Sequence, residues 1–355
     1  MTFHLGKAAL AISLVSLTIA SVQAQELTVT VSGGAFADAL IEAFVKPFEE
    51  ETGIKVNAVK AEIGSQRWGL AVETNTVDWD VGLTNTLTGP QLAAAGTMIP
   101  IDYSLYDQRE LDGIAPQFRR DWGVGAQVSA LVLAYNTETL PEGKRPQSWA
   151  DFWNVEGFPG VRTMMMPYVG SSSLPEALVA DGVPLDQVYP LDVDRAFSKL
   201  DEIKPHIRKW WATASDAQQM FNAGEVDMGL SFDGRIVALQ KAGVPVEFTF
   251  NGARYYSAMW AIPKGAKNVA DAQRFIEFAT RGEHQATLAR IMGYAPANST
   301  AFDYLPEELA ATLVTAPGNI DKAYPIDGDW YSEVGPDGKT NGERITERWQ
   351  DWILQ

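Results

Sequence analysis

Short β-branched runs alternate with helical patterns from Glu26 onward, and this alternation constrains the fold more than any other feature of the sequence. The run "ELTVTVSGG" predicts a strand, and "AFADALIEAFVKPFEEETG" predicts a helix that ends at a capping Gly53. The runs "IKVNAVKA", "SQRWGLAVETNT" and "WDVGLTN" then predict a strand, a helix and a buried strand. A β-α-β-α-β order favours an α/β domain with a mostly parallel sheet and helices on both faces.

A second α/β segment starts near Ala130. The run "ALVLAYNTETLP" predicts a long apolar strand that leaves the first domain, and helices and strands alternate again after it. No Gly/Ser-rich linker separates the two halves of the sequence. We therefore predict two α/β lobes that are joined by crossing strands, with a cleft between them.

The N-terminus has the pattern of a secretory signal peptide. Lys7 precedes an apolar run from Ala8 to Ala20, and small residues follow at Val22 and Ala24. The apolar run is shorter than the roughly 18 residues that a membrane-spanning helix needs. We expect cleavage after Ala24 and export of a soluble protein to the periplasm. A membrane anchor is the alternative interpretation of this segment.

The charge and the cysteine count restrict the partners of the chain. The formal net charge is −17, and cleavage after residue 24 would remove only Lys7 and leave −18. A strongly acidic protein repels nucleic acid and anionic lipid, so neither is an expected partner. There is no cysteine, which excludes disulfides and a lipid-modified N-terminal Cys.

Nothing in the sequence has the pattern of an active site. The three histidines are His4, His206 and His284, and no G-x-S-x-G motif occurs. The run "GVGAQV" begins like a dinucleotide-binding loop but lacks its third glycine. Metal-ligand spacings of histidine are also missing. The sequence predicts a protein that is not an enzyme and that holds no cofactor and no metal.

Five runs, in order along the chain, resemble the periplasmic spermidine/putrescine-binding proteins. They are "SWADFW", "FPGVR", "GEVDMGLSFDGRIVALQKAGVPVEF", "WAIPKGAKNVADAQRFIEFA" and "GYAPAN". The resemblance implies the substrate-binding protein of an ABC importer: a monomer with a two-lobed (type II) periplasmic-binding-protein fold that delivers a small molecule to a membrane permease. It implies one lobe of residues 25–134 and 259–305, and another of residues 135–258 and 306–355. Closure on a ligand would bend the hinge strands near residues 130–135 and 257–262.

The resemblance also implies a ligand site built from strand ends of both lobes. The positions that it indicates are Ser32, Gly33, Phe36, Thr84, Thr86, Tyr168, Ser171, Phe232, Asp233, Arg235, Tyr256, Tyr294, Trp330 and Tyr331. We add Trp68 and Tyr255 as further aromatic candidates. Of the adjacent tyrosines, one is expected to face the cleft and the other the core, because side chains alternate along a strand.

Departures from the polyamine binders indicate which ligand the site takes. The segment "MMMPYVGSS" stands where those proteins carry two carboxylates, and Ala258 stands where they carry an Asp. Asp233 is retained, and Arg235 is a group suited to bidentate recognition of a carboxylate. We therefore expect a zwitterion such as γ-aminobutyrate, with a polyamine as second choice and a quaternary amine as third.

A ferric site is the competing hypothesis. Related periplasmic proteins bind iron through adjacent tyrosines, and Tyr255 and Tyr256 are adjacent here. Phenolate oxygens are hard anionic donors that suit a hard cation. No histidine stands nearby in the sequence, which weighs against this alternative.

Overall fold

A computed structural model describes residues 26–167 and 171–355, so the predicted signal peptide and Tyr168 lie outside the described residues. The strands are β1 Leu27–Thr30, β2 Val56–Val59, β3 Gly82–Asn85, β4 Met98–Ile99, β5 Arg119–Arg120, β6 Gly123–Asn136, β7 Arg162–Met165, β8 Ile207–Trp211, β9 Met228–Phe232, β10 Val246–Pro263 and β11 Ala323–Pro325. The helices are α1 Gly34–Leu40, α2 Lys46–Thr52, α3 Ser65–Glu73, α4 Gly89–Ala94, α5 Gln108–Gly113, α6 Trp149–Trp153, α7 Leu174–Ala180, α8 Val193–Ile203, α9 Ala214–Asn222, α10 Asp233–Lys241, α11 Val269–Ala279, α12 Gly282–Met292, α13 Glu307–Ala310, α14 Gly328–Ser332 and α15 Asn341–Ile353.

The first predicted helix forms with its predicted end. A π-helical stretch, Ile41–Val45, joins α1 to α2, so the chain stays helical from Gly34 to Thr52. Gly53 ends this helix with φ 72°, a left-handed conformation that glycine adopts without a Cβ clash. The buried face places Phe48 edge-on against Phe275 and Phe278 of α11. The apolar face of the helix that ends at Gly53 is thus buried in the core, and this burial holds the helix against the sheet.

Two long strands, β6 and β10, form the centre of the molecule. They pair antiparallel from Val246–Asn136 at one end to Trp260–Val124 at the other. Alternate side chains of β6 enter different cores: Val128 and Ala130 pack in one, and Leu131 and Leu133 in the other. The strand pair therefore runs between two hydrophobic cores.

The two cores draw on different parts of the chain. The first contains side chains of β1, of the helix that ends at Gly53, and of α11 and α12. The second contains side chains of α6 to α10 and of the C-terminal α15. Leu313 and Val314 pack in the first core, although they lie beyond the predicted boundary at residue 305. The lobe boundaries stay a prediction.

Parallel pairing within each half brings strand ends together. β1 is parallel to β2, and Val29 bridges in parallel to Val81, which immediately precedes β3. In the other half, β7 is parallel to both β8 and β9. Antiparallel pairs occur where the long strands meet their neighbours, as in β10 with β3 and β6 with β9. Ligands of α/β sheets bind outside the carboxyl ends of such parallel strands.

Within residues 26–167 and 171–355, no helix is long and apolar enough to span a bilayer.

Candidate ligand-binding site

Asp233 is the charged centre of the candidate site. It follows β9 directly, starts α10 and is only 6% exposed. Burial raises the pKa of its carboxyl to about 7, although the backbone N–H groups of Ala130 and Gly234 oppose this shift. The Gly234 N–H donates to Oδ1 at 2.7 Å. A cation placed beside this carboxyl would favour its ionised form.

Aromatic rings stand around Asp233. Phe232 packs edge-on against Tyr256 with 6.0 Å between the ring centroids, and Phe36 packs edge-on against Tyr294 with 5.5 Å between the centroids. Tyr294 also packs against the first turn of α10, where a Cβ built on Gly234 would stand 3.0 Å from its ring. Burial raises the pKa of the Tyr256 and Tyr294 phenols, so both stay neutral at physiological pH. Neutral aromatic walls are suited to an organic cation, which ring faces attract.

Arg235 supplies a positive charge next to this aromatic cluster. Its side chain is exposed, and Nη1 donates to Oε1 of Gln218 at 3.2 Å. It forms no ion pair with any acid in the part of the chain that the structure describes. Burial is the main influence on the pKa of Tyr256 and of Tyr294 and raises both values. The positive charge of Arg235 acts in the opposite direction on each, because Arg235 lies near both rings. Its guanidinium can therefore bind an anionic group.

Two polar residues of β6 join the site, and the sequence analysis missed them. Ser129 is in register with Tyr256 across the β6–β10 pair and donates to Oε1 of Gln127 at 3.1 Å. Both side chains are more than nine-tenths buried. The available signal was the pair of polar residues, two apart, in the otherwise apolar run "GVGAQVSALVLAYN". Period-two spacing puts them on one face of the strand.

The two adjacent tyrosines leave opposite faces of β10. The ring of Tyr255 packs against Phe118, with 5.8 Å between the ring centroids, and its hydroxyl accepts a hydrogen bond from Gln117 Nε2 at 3.5 Å. Tyr256 instead packs against Phe232. Burial raises the pKa of both phenols and so opposes phenolate formation. Two phenolate ligands on opposite faces cannot meet at one ion, so the geometry does not support the ferric hypothesis. Among the described residues, no group of three or more His, Cys, Asp or Glu side chains could hold a metal.

The carboxyl ends of β1 and β3 and the loops that follow them carry four of the predicted site residues. Ser32 has φ 58°, a strained conformation for a residue with a side chain, and such strain concentrates at binding loops. Gly33 follows as the cap of α1. Thr84 is buried and lies 3.4 Å from the Thr88 hydroxyl, and Thr86 accepts from the Ser257 N–H at 3.2 Å. The Thr86 contact ties its loop to β10 beside Tyr256.

Several predicted contacts are core residues. Trp68 is fully buried, donates to the Thr97 carbonyl at 3.3 Å and packs edge-on against Trp79, so we leave it out of the site. The helix pattern showed that Trp68 lies on α3 but not which face of α3 is buried. Trp330 and Tyr331 pack against Tyr189 in the second core.

A buried ion pair explains the position of Ser171. Arg254 of β10 donates to Glu176 Oε1 at 2.9 Å and Oε2 at 3.3 Å, and both side chains are 0% exposed. The same guanidinium donates to the Ser171 hydroxyl at 3.1 Å and to the Ser172 carbonyl at 2.8 Å. Burial acts to lower the pKa of Arg254, but Glu176 together with the neighbouring Tyr189, Tyr324 and Tyr331 raises it, and the pKa lies above its ordinary value. Arg254 thus anchors the segment from Ser171 to Glu176 on β10.

Comparison with known proteins agrees with this architecture. Residues 43–316 match the family described as bacterial extracellular solute-binding protein. A γ-aminobutyric acid-binding protein of Pseudomonas aeruginosa PAO1 is 33% identical over 95% of this chain and 93% of its own length. A spermidine/putrescine-binding periplasmic protein of Escherichia coli K12 is 22% identical over 82% of this chain and 83% of its own.

A solved structure extends the match to the fold. An ABC transporter substrate-binding protein of Bradyrhizobium japonicum USDA 110 superposes with a TM-score of 0.81 at 34% identity, covering 92% of this chain and 99% of that one. The predicted two-lobed α/β fold is thereby confirmed. Proteins of this kind bind small molecules and deliver them to the membrane permease of an ABC transporter. The chain belongs to the bacterial extracellular solute-binding proteins, as the substrate-binding component of an ABC importer.

Proposed function

We propose that this protein captures a small zwitterion of the γ-aminobutyrate type and delivers it to its permease. One observation carries the proposal. A buried carboxyl, Asp233, and an exposed guanidinium, Arg235, stand two residues apart at the start of α10. An ω-amino acid presents the complementary charges. The similarity to a γ-aminobutyric acid-binding protein supports the same ligand class.

The ammonium of the ligand would bind at Asp233. A buried ion needs a partner of opposite charge, because desolvation alone costs several kcal/mol per ion. The rings of Tyr256, Tyr294 and Phe36 would surround the methylene chain, and each ring facing the ammonium would add about 0.5–2 kcal/mol. Arg235 would bind the carboxylate through paired N–H groups, a geometry that lysine cannot reproduce.

The segment after β7 favours a zwitterion over a polyamine. A polyamine needs a second acid for its second ammonium. The acid that follows this segment is Glu176, and it is already paired with Arg254 in a buried ion pair. Ser171 and Ser172 are also bound to Arg254, so this side of the site offers no free carboxylate. A diamine with one ammonium at Asp233 would therefore find no unpaired carboxylate in this segment for the other.

We also propose that the protein works in the periplasm and has no catalytic activity. The "MTFHLGKAALAISLVSLTIASVQA" segment would direct export and would be removed after Ala24. The relatives that are named for their location are periplasmic, which supports this placement. Release of the bound ligand chemically unchanged, checked by mass spectrometry, is the expected result. Formation of a product would contradict it.

Calorimetry on Arg235 variants tests the proposal. Arg235→Lys should weaken γ-aminobutyrate binding by about 1.5–3 kcal/mol, the strength of a hydrogen bond to a charged group, and should leave putrescine binding unchanged. Lys241→Met, which removes an exposed charge from the same helix, is the control for general electrostatics. Unchanged affinity for γ-aminobutyrate in Arg235→Lys would refute the assignment of Arg235 and move polyamines to first place.

A further inference from the structure

Tyr294, one ring of the proposed site, belongs to a short segment that follows α12, residues 293–298, which we call the Tyr294 loop. Gly293 ends α12 in a left-handed conformation with φ 75°. The next residue places its ring against Phe36 and against the first turn of α10. Residues 295–298 are buried. The position of the Tyr294 ring therefore depends on what holds this loop.

Strand β6 holds the start of the Tyr294 loop. The Val128 N–H donates to the Ala295 carbonyl at 2.7 Å, and the Ala295 N–H donates to the Val128 carbonyl at 3.1 Å. Further along, Ala297 lies directly on Gly125, where an added Cβ would stand 2.5 Å from the Ala297 Cβ. The loop thus approaches the strand at a distance that the missing side chain of Gly125 allows.

Gln285 of α12 connects the far end of the Tyr294 loop to the same strand. Its Oε1 accepts from the Ala297 N–H at 2.6 Å and from the Asn298 N–H at 3.0 Å. Its Nε2 donates to the Gly125 carbonyl at 2.8 Å. The Gln285 side chain is only 1% exposed. One side-chain amide therefore satisfies three buried backbone groups, which have no access to water once it is removed.

Two further bonds restrain the Tyr294 loop from outside β6. The Thr315 hydroxyl donates to the Pro296 carbonyl at 2.8 Å. The Asn298 side chain is fully buried and donates to Glu110 Oε2 at 2.8 Å. Because the ring of Pro296 fixes its φ, a displacement of Asn298 is passed on to Ala295 instead of being absorbed between them.

We propose that Gln285 is a positioning residue of the ligand site. It is too deeply buried to touch a ligand, and it acts by holding the Tyr294 loop on β6 so that the Tyr294 ring forms one wall of the site. The inference rests on the proposed function, since it requires this ring to face the ligand. It adds a residue that determines the affinity without contacting the ligand.

Gln273 of α11 is a matched control for a role in stability alone. It is 8% exposed, its Oε1 accepts from the Asp102 N–H at 3.0 Å, and its Nε2 donates to the Pro100 carbonyl at 2.8 Å. This is the same kind of connection between a helix and a loop, but that loop carries no predicted ligand contact. Gln273→Met and Gln285→Met should both lower the thermal stability, and only Gln285→Met should lower the affinity.

Isothermal titration with γ-aminobutyrate at pH 8 tests the proposal. Gln285→Met should raise the Kd about threefold to tenfold, because it acts through a single cation–π contact. Gln273→Met should leave the Kd unchanged. The double variant Gln285→Met/Tyr294→Leu should bind like Tyr294→Leu alone, because two changes that act through one ring are not additive.

Thr315→Val decides the matter if Gln285→Met does not fold. Thr315 is only partly buried, and valine keeps its shape without the hydroxyl that bonds Pro296. This variant should fold and should raise the Kd about twofold to threefold, the effect of one weak hydrogen bond. In the Tyr294→Leu background it should have no effect on the Kd. A Kd equal to that of the wild type in Thr315→Val alone would then overturn the positioning role.

The outcomes separate the inference from the function on which it rests. If Gln285→Met binds γ-aminobutyrate with wild-type affinity, or if its loss adds to that of Tyr294→Leu, the positioning role is overturned and the proposed function stands. An equal loss of affinity in Gln273→Met would overturn the positioning role as well. If the wild-type protein does not bind γ-aminobutyrate, the proposed function fails and the inference fails with it.

Discussion

The pKa of Asp233 predicts how ligand affinity changes with pH. Burial raises that pKa to about 7 in the ligand-free protein, so the carboxyl is half protonated near neutrality. An ammonium binds the ionised carboxylate, and the protonated form is not competent. Lowering the pH should therefore weaken binding, because part of the binding free energy is spent on removing a proton.

The size of the effect follows from the fraction of competent protein. With a pKa of about 7, the apparent Kd should rise roughly tenfold at pH 6 and roughly a hundredfold at pH 5, and it should be nearly constant above pH 8. Because the carboxyl pKa is raised, the ionised form that binds the ammonium predominates above pH 7. The affinity should therefore be full above pH 7 and should fall as the pH drops below it. Ligand binding should also release about half a proton at pH 7.

Isothermal titration with γ-aminobutyrate at pH 5 to 9, in buffers of different ionisation enthalpy, measures both quantities. Asp233→Asn should bind weakly and without this pH dependence. Arg235→Met should bind weakly but keep the pH dependence, because it leaves Asp233 in place. A wild-type affinity that stays flat from pH 5 to 8 would refute the assignment of Asp233 as the ammonium partner.

Three further predictions concern the parts that support the site. Glu176→Gln should lower the free energy of unfolding by about 3–5 kcal/mol, because it leaves the buried Arg254 charge unpaired; chemical denaturation would measure this, and recovery of stability in Glu176→Gln/Arg254→Met would confirm the cause. Trp68→Ala should destabilise by about 3–5 kcal/mol and leave affinity unchanged at temperatures where the protein is folded, since Trp68 is fully buried; an affinity loss without destabilisation would return Trp68 to the site. Tyr294→Leu should weaken ligand binding by about 0.5–2 kcal/mol, the value of one cation–π contact, and calorimetry that finds no loss would remove Tyr294 from the aromatic wall.

Local patterns of the sequence predicted the first helix and the strand order well. The end of the helix at Gly53 was predictable because a left-handed cap favours glycine, and its φ is 72°. The opposite directions of Tyr255 and Tyr256 were predictable because strand side chains alternate. These features depend on residues close together in the chain.

Features that depend on distant residues were not predictable from such patterns. Arg254 and Glu176 are 78 positions apart, and neither has a local signal for a buried ion pair. The burial of Trp68 depends on Trp79 and Thr97, which the helix pattern of α3 does not specify. Ser129 and Gln127 belong to the site because β10 places Tyr256 beside them, a register that the sequence alone does not show.

The most direct test of the central claim compares γ-aminobutyrate with putrescine on the same purified protein. The two molecules share an ammonium and a short methylene chain, and they differ in whether the other end is a carboxylate or a second ammonium. Isothermal titration at pH 8 should show that γ-aminobutyrate binds at least about tenfold more tightly, a difference of about 1.4 kcal/mol. Equal or tighter binding of putrescine would contradict the claim that Asp233 and Arg235 together recognise a zwitterion.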